Sequence, residues 1–195
     1  MTEEKIIEKY LTNLNLDQLD TEARMIKVVR AVSEIPWGEG RSIEEVFERG
    51  VGTCTGKHKV LQGCFDQLGI KYKPVVCTFK WGEQGITLPN ELREILAEGE
   101  WEHGHNFLKL ENGNYVDITW DSPLKKAGFK TLPDGWTPDQ TFIGLQKIQQ
   151  QWDDVSIDEM KGQLINSLDG PTKERRERFL HALIKWIDSI HDQNK

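Results

Sequence analysis

The sequence has few cysteines, no excess of positive charge and no long apolar run. Its three cysteines, Cys54, Cys64 and Cys77, form no Cys-x-x-Cys pair, which argues against a disulfide framework or a cysteine-rich zinc module. The formal charge of −7, from 25 basic and 32 acidic residues, offers no basic surface to a nucleic-acid backbone or an anionic membrane. No window approaches the ~18 apolar residues of a membrane span. We therefore expect reduced thiols and no nucleic-acid or membrane partner.

Targeting and cofactor signals are also absent from the sequence. The first residues, MTEEKIIEKYLTNLN, lack the basic segment followed by an apolar one that marks a secretory signal, so we expect a cytoplasmic protein. Neither a G-x-G-x-x-G pattern nor a P-loop pattern occurs, and we expect no cofactor. The composition does include seven Trp and seven Phe, enough large apolar side chains for a globular core. The length of 195 residues fits one domain.

Hydrophobic periodicity predicts helices toward both ends of the chain. The predicted helices lie at residues 6–11, 25–32, 43–49, 54–68, 89–98, 157–168 and 172–190. A capping box of Ser42 and Glu45 should start the third helix, and Gly50 should end it. The fourth helix should begin at Cys54, with the cysteine facing inward, and end at Gly69.

Strands are predicted in the middle of the chain, which makes the fold α+β. Residues 71–81 are rich in β-branched and aromatic side chains, although Pro74 indicates an irregular or edge strand. Residues 103–110 and 114–119 flank Glu111-Asn112-Gly113, a strong hairpin signal. Residues 121–141 are rich in loop-forming residues.

The chemistry-bearing residues follow one order: a cysteine that opens a helix, a histidine on a strand and an aspartate on the next strand. Unpaired N–H groups and the positive end of the helix dipole favour a thiolate at Cys54. A nearby imidazole would act as base and acid, with a carboxylate to hold its tautomer. This order is typical of cysteine-nucleophile enzymes.

The hairpin turn decides which histidine meets the aspartate. A three-residue loop at 111–113, with its glycine left-handed, places Asp117 opposite Phe107. Because side chains alternate along a strand, His105 is then the nearest diagonal neighbour of Asp117, and His103 lies farther along the same face. A two-residue turn would instead place Asp117 on the other face from both histidines.

These segments resemble the transglutaminase-like superfamily. The resemblance covers about residues 35–121 and rests on Gly52-Thr53-Cys54, His105-Asn106-Phe107 and Asp117-Ile118-Thr119-Trp120. It implies a papain-like core with a Cys-His-Asp triad at Cys54, His105 and Asp117. On this interpretation residues 1–195 form one transglutaminase-like domain, with amino-terminal helices at 1–35 and a carboxy-terminal loop and helices at 122–195.

The sequence departs from the family's pattern next to two triad positions. After the histidine the family usually has a small residue and then tryptophan, where Asn106 and Phe107 stand here. A turn after the cysteine it often has small or apolar residues, where Lys57 and His58 stand here.

The resemblance implies a thiol hydrolase or acyltransferase that acts on an amide or related acyl group through a thioester on Cys54. The substrate would be a peptide, a protein or a small acyl compound. We expect hydrolysis over cross-linking, because large cross-linking members carry accessory domains. One alternative is a catalytically silent peptide-binding domain of the same fold. Another is acyl transfer like that of arylamine N-acetyltransferases, although these usually have an arginine where Thr55 stands.

Four further residues are candidates for contacting substrate or supporting the triad: His103, Trp37, Phe107 and Trp120. An oxyanion hole should include the backbone N–H of Cys54, and the region of Trp37 is a candidate source of a second donor. His103 is expected mainly at the surface or beside the triad.

Other conspicuous residues are expected to be structural. Cys64 and Cys77 should be core residues, since free cysteine is among the most buried types. Most of the tryptophans near the strands should pack in the core, although they could also line a groove. His103 and His105 could serve with Asp117 or Asp121 as metal ligands, but no firm third and fourth ligand is evident, and we predict no metal.

Overall fold

The computed structural model describes residues 2–193, which form an α+β fold around one antiparallel sheet. The helices are α1 (Glu3–Asn13), α2 (Thr21–Ser33), α3 (Ile43–Arg49), α4 (Cys54–Leu68), α5 (Asn90–Ala97), α6 (Ile157–Asn166) and α7 (Gly170–Asp192). The strands are β1 (Tyr72–Phe79), β2 (His103–Leu110), β3 (Tyr115–Val116) and β4 (Gln150–Asp153), and two 3₁₀ helices lie at Trp81–Glu83 and Ser122–Ala127. The α+β prediction is confirmed. No helix within residues 2–193 combines the length and apolar character needed to cross a bilayer.

The predicted boundaries of the third and fourth helices are confirmed, whereas α1 and α2 extend beyond the apolar residues that predict them. The Ser42 hydroxyl accepts the Glu45 N–H at 3.2 Å, and the Glu45 carboxylate accepts the Ser42 N–H at 3.4 Å. Gly50 ends α3 with φ +70°, and Gly69 ends α4 with φ +66°. Both glycines adopt the left-handed conformation that other residues adopt only with strain.

The sheet has the order β3-β2-β1-β4, and every neighbouring pair is antiparallel. The prediction that Pro74 makes its strand irregular or an edge is therefore wrong, because β1 has a neighbour on each side. The carbonyl of Pro74 accepts the Asp154 N–H, and β4 pairs only from Val75 onward. The N–H and C=O groups of one strand residue point to the same side of the strand, and the Pro74 carbonyl points toward β4. The N–H group that proline lacks would therefore lie at the end of the β4 ladder, where its absence costs few hydrogen bonds.

The hairpin adopts the register of a three-residue loop. Leu108 pairs with Val116 and Lys109 with Tyr115, and Gly113 has φ +89°. The strand predicted at 114–119 is shorter than expected, because the ladder with β2 ends at Val116. Beyond it the Asp117 N–H donates to the carbonyl of Phe142 at 3.1 Å, so the chain leaves β2 and pairs with a distant loop.

Two apolar clusters cover the sheet. One joins α1–α4 to side chains of β2 and β3, and it contains Cys64. The other joins α5, α7 and several tryptophans to β1 and Phe107, and it contains Cys77. Cys64 and Cys77 are completely buried, and Trp101, Trp120 and Trp136 are at most 6% exposed. The prediction that these residues serve as core is confirmed.

Candidate active site

Cys54 is held at the first turn of α4 by contacts to the loop before α3. Thr53 caps the helix: its hydroxyl accepts the Gly56 N–H at 3.2 Å and donates to the Gly40 carbonyl at 3.0 Å. The Thr53 N–H donates to the same carbonyl at 2.8 Å. A Cβ on Gly56 would lie 2.3 Å from that oxygen, so only glycine permits this approach. The helix start and the loop are thereby fixed together.

The aspartate and one histidine form a buried pair. His105 Nε2 lies 2.7 Å from Asp117 Oδ2, and both side chains are almost inaccessible to solvent. Asp117 Oδ1 accepts the N–H of Thr119 at 3.0 Å and its hydroxyl at 2.7 Å, while Oδ2 also accepts the Gly144 N–H at 2.9 Å. The contact expected from the hairpin register is present. Because Nε2 faces Asp117, Nδ1 is the nitrogen left to face the thiol.

The charges of this pair stabilise each other. Burial by itself lowers the pKa of His105, but the charge of Asp117, its hydrogen bond and the interaction with Cys54 raise the pKa to about 9. Burial by itself raises the pKa of Asp117, but the charge and hydrogen bond of His105 hold it well below its usual range. The pair is therefore imidazolium and carboxylate at neutral pH.

Cys54 carries a thiol of lowered pKa. Burial by itself raises the pKa, but the charge of Lys161 and the hydrogen bond and charge of His105 lower it to about 6. Cys64, which has no such neighbours, has its pKa raised by burial to about 12. The cations beside Cys54, and not its burial, distinguish it from Cys64. The thiolate of Cys54 is therefore the form present at neutral pH.

Lys161 is a site residue that the sequence does not predict. From α6 its ammonium donates to Cys54 Sγ at 3.1 Å, to Thr55 Oγ1 at 2.9 Å and to Asn106 Oδ1 at 2.6 Å. No sequence signal identifies it, because a lysine on an amphipathic helix is typical of a solvated face.

Three polar residues that follow Cys54 and His105 in the sequence, Lys57, His58 and Asn106, are completely buried near Cys54. Asn106 Nδ2 donates to the Cys54 carbonyl at 3.3 Å. His58 Nδ1 lies 2.7 Å from the same carbonyl, and its Nε2 accepts the Ile118 N–H at 3.3 Å. Burial lowers the pKa of His58 to about 4, so the ring is neutral and Nδ1 carries its proton. Lys57 is also fully buried, where it donates to the Ser33 and Thr119 carbonyls.

Two predicted site residues have other roles. The Trp37 N–H donates to Asp121 Oδ1 at 2.8 Å, so it is not a free oxyanion donor, although the residue lines the cavity described below. Phe107 is completely buried beside His105, with ring centroids 6.2 Å apart, and it is not part of the cavity lining.

His103 is not a surface residue. It is 6% exposed, and its ring lies 4.5 Å from that of Trp101 and 5.4 Å from that of Phe179. Burial lowers its pKa to about 3, and its Nε2 has no hydrogen-bond partner among the described residues. His103 is a neutral ring in an aromatic wall, and it also lines the cavity described below.

A cavity of about 450 Å³ opens at Cys54. His105, Lys161 and Trp120 line it with Cys54, so the groups brought together by α4, β2 and α6 share one space. Its apolar lining consists of Trp37, Phe79, Trp81, Trp120, Leu164, Ile165, Leu168, Leu180 and Leu183. Such a pocket suits a substrate with an apolar portion.

The candidate metal ligands do not converge. Within residues 2–193 no group of three or more histidine, cysteine, aspartate or glutamate side chains is placed to hold a metal ion. Asp121 accepts instead from Trp37 and lies 2.8 Å from Nε2 of His191 on α7.

The arrangement brings the Cys54 thiol and the His105 imidazole together in one cavity, with the Asp117 carboxylate behind the imidazole. In the first turn of α4 the N–H groups of Gly56 and Lys57 donate to Thr53, whereas the N–H groups of Cys54 and Thr55 form no hydrogen bond with the residues that the structure describes.

No family model matches the sequence, and no curated protein matches it.

Proposed function

We propose that the protein is a cysteine-nucleophile hydrolase or acyltransferase with a papain-like, transglutaminase-like core. One observation carries the proposal: the Cys54 thiol lies in a cavity 3.1 Å from an ammonium group, and the cavity also contains His105 of a buried His105–Asp117 pair. A structural cysteine needs neither a cation at its sulfur nor a charged imidazole.

In the proposed reaction the Cys54 thiolate attacks the carbonyl carbon of an amide or ester. The S–C bond forms while the π pair moves to oxygen, and the backbone N–H of Cys54 and the Lys161 ammonium stabilise this charge. His105 donates its proton from Nδ1 to the leaving amine or alkoxide as the C–N or C–O bond breaks. A thioester on Cys54 and a neutral imidazole remain.

Water then resolves the thioester in the proposed cycle. His105 accepts a proton from water as the oxygen attacks, the C–S bond breaks, and Cys54 leaves as thiolate. Asp117 holds the ring in the orientation for both transfers. We propose hydrolysis as the main outcome because it needs no binding site for an amine acceptor.

The test is the pH dependence of alkylation by iodoacetamide, followed by mass spectrometry. We expect labelling at Cys54 with a midpoint near pH 6, because thiolate is the reactive form. In His105→Ala and His105→Gln the midpoint should rise by about one unit or more, since a cationic neighbour is lost. The buried Cys64 and Cys77 should stay unlabelled in the folded protein, and Cys54→Ser should remove the signal.

A midpoint near that of a free thiol, unchanged in both His105 variants, would contradict the enzymatic proposal and favour a silent binding domain. With an activated thiolate established, a panel of amides and esters should show turnover that Cys54→Ala abolishes. The same variant should keep the free energy of unfolding within about 1 kcal/mol, because its role is not packing.

A further inference from the structure

The cavity at Cys54 contains charged groups of two kinds, paired and unpaired. Lys59 is paired with Asp158 at 2.7 Å, and Lys161 is bonded to Cys54, Thr55 and Asn106. Arg41 and Arg176 also line the cavity. Among residues 2–193 neither guanidinium forms a hydrogen bond or an ion pair.

The carboxylates around the cavity are already engaged. Glu45 accepts the backbone N–H groups of Arg41 and Ser42 in the α3 cap. Glu102 accepts the Thr78 hydroxyl and the Gln150 amide. With Asp158 bound to Lys59, none of the three carboxylates forms an ion pair with Arg41 or Arg176 among residues 2–193. The charges of Glu45 and Arg41 do attract each other, but without direct contact of the side chains.

The two guanidinium groups repel each other. Burial, followed by the charge of Arg41, lowers the pKa of Arg176, while Glu177 and Cys54 act in the opposite direction. Arg176 is half-buried, whereas Arg41 is exposed to solvent, which screens part of this repulsion. The remaining repulsion is unfavourable for the half-buried charge without a counter-ion. An anion that accepts from both guanidinium groups would remove this repulsion, and guanidinium matches the geometry of a carboxylate.

The arginines are also close to the nucleophile in the fold. Arg41 follows Gly40, whose carbonyl accepts the Thr53 N–H at 2.8 Å, one residue before Cys54. Arg176 lies on α7 and lines the cavity together with Cys54, whose charge acts on its guanidinium group.

We propose that Arg41 and Arg176 bind a carboxylate of the substrate, so that Cys54 acts on an acyl compound or peptide that carries an acidic group near the scissile bond. This inference rests on the proposed function for its catalytic meaning, since it names the substrate class of the same site. Binding of the carboxylate itself does not depend on the reactivity of Cys54.

The test is protection of Cys54 from iodoacetamide by succinate, glutarate and adipate, with glutaramide as the neutral counterpart. At least one dicarboxylate should slow alkylation saturably, and glutaramide should not. In Arg176→Gln and Arg41→Gln the concentration for half-protection should rise by about tenfold, the scale of one charge-assisted hydrogen bond. Each value is compared with the unprotected rate of the same variant.

The double variant Lys59→Gln/Asp158→Asn is the matched control, because it removes a paired cation of the same cavity together with its partner carboxylate. Half-protection should be unchanged in this variant. An equal loss in the double variant, protection by glutaramide, or no effect of either arginine variant would overturn the subsite. Stronger protection by inorganic phosphate than by every dicarboxylate would overturn its assignment to a carboxylate.

Calorimetric titration of the same dicarboxylates into the same variants separates the two proposals. Binding that requires the arginines, together with a Cys54 of ordinary thiol reactivity, would retain the subsite and refute the enzyme. An activated Cys54 with no dicarboxylate binding would retain the enzyme and refute the subsite.

Discussion

At the residue scale, the state of Cys54 is decided by charge on two sides of its sulfur. Lys161 approaches from α6, while His105 is held by Asp117 on the sheet side. Burial of a lone thiolate would be strongly unfavourable, and the other two cysteines have raised pKa values for that reason. Cys54 is half-buried, and desolvation alone would suppress its ionisation; the two cations make ionisation favourable instead.

Replacing Lys161 with methionine should raise the pKa of Cys54, because it removes a positive charge 3.1 Å from the sulfur and keeps a chain of similar length. We expect the midpoint of iodoacetamide labelling to move up by about one to two pH units. Lys161→Arg should keep the low midpoint, and Lys59→Met should leave it where it is in the wild type. An unmoved midpoint in Lys161→Met would assign the low pKa to His105 alone.

The predicted and the missed site residues differ in the range of their contacts. Cys54 is marked by its helix start, and the contact of His105 with Asp117 follows from one short turn with a glycine at 113. Both signals lie within short stretches of sequence. Lys161 and Arg176 reach the cavity only because α6 and α7 pack across it, and packing between distant helices leaves no pattern in either helix alone.

At the element scale, the site depends on close backbone contacts more than on regular strands. No sequence pattern predicts β4, because Gln150–Asp153 is polar and largely exposed and shows no alternation. The sequence predicts a strand after Val116, yet this segment pairs with the loop at 142–144 and thereby supports Asp117. Local propensity does not reveal which of several partners an extended segment chooses.

The contact between α4 and the loop before α3 leads to a paired prediction. A Cβ on Gly56 would lie 2.3 Å from the Gly40 carbonyl, whereas a Cβ on Gly162 of α6 would meet nothing within 4 Å. Gly162→Ala should therefore raise the free energy of unfolding by about 0.5–1 kcal/mol through helix propensity. Gly56→Ala should lower it by about 1–3 kcal/mol through overpacking.

Urea denaturation of both variants measures these changes, and the alkylation midpoint of Cys54 reports whether the helix start has moved. We expect a shift of the midpoint in Gly56→Ala and none in Gly162→Ala. Equal gains of stability in the two variants would mean that the loop yields easily and does not position the cysteine.

At the scale of the whole molecule, Asp121 joins three distant parts of the chain. One oxygen accepts the Trp37 N–H from the segment after α2, and the other lies 2.8 Å from His191 near the end of α7. Asp121 itself directly follows the Asp117–Trp120 segment of the site. Asp121 therefore links the segment after α2 and the end of α7 to the segment that carries Asp117. We expect a change at Asp121 to alter both the free energy of unfolding and the geometry of the site.

Acid should destabilise the molecule through two buried neutral histidines. Burial lowers the pKa of His58 to about 4 and of His103 to about 3, from an ordinary 6.5. Below pH 6.5 the unfolded chain therefore binds protons that the folded protein excludes. The free energy of unfolding should fall with falling pH, by about 1.4 kcal/mol per pH unit for each such histidine. His105 adds no slope here, because its raised pKa leaves it protonated in both states below pH 6.5.

Replacing His103 with phenylalanine isolates this effect, because it keeps an aromatic ring in the wall and removes an unpartnered Nε2. Between pH 6.5 and 4 the variant should lose about 1.4 kcal/mol per pH unit less than the wild type. Near pH 7 it should be equally stable or more stable, since a buried polar atom without a partner is removed. Urea unfolding across this range measures both, with exposed His181→Gln as control. A slope unchanged in His103→Phe would mean that His103 gains a proton in the folded protein, and that the aromatic wall admits water as the pH falls.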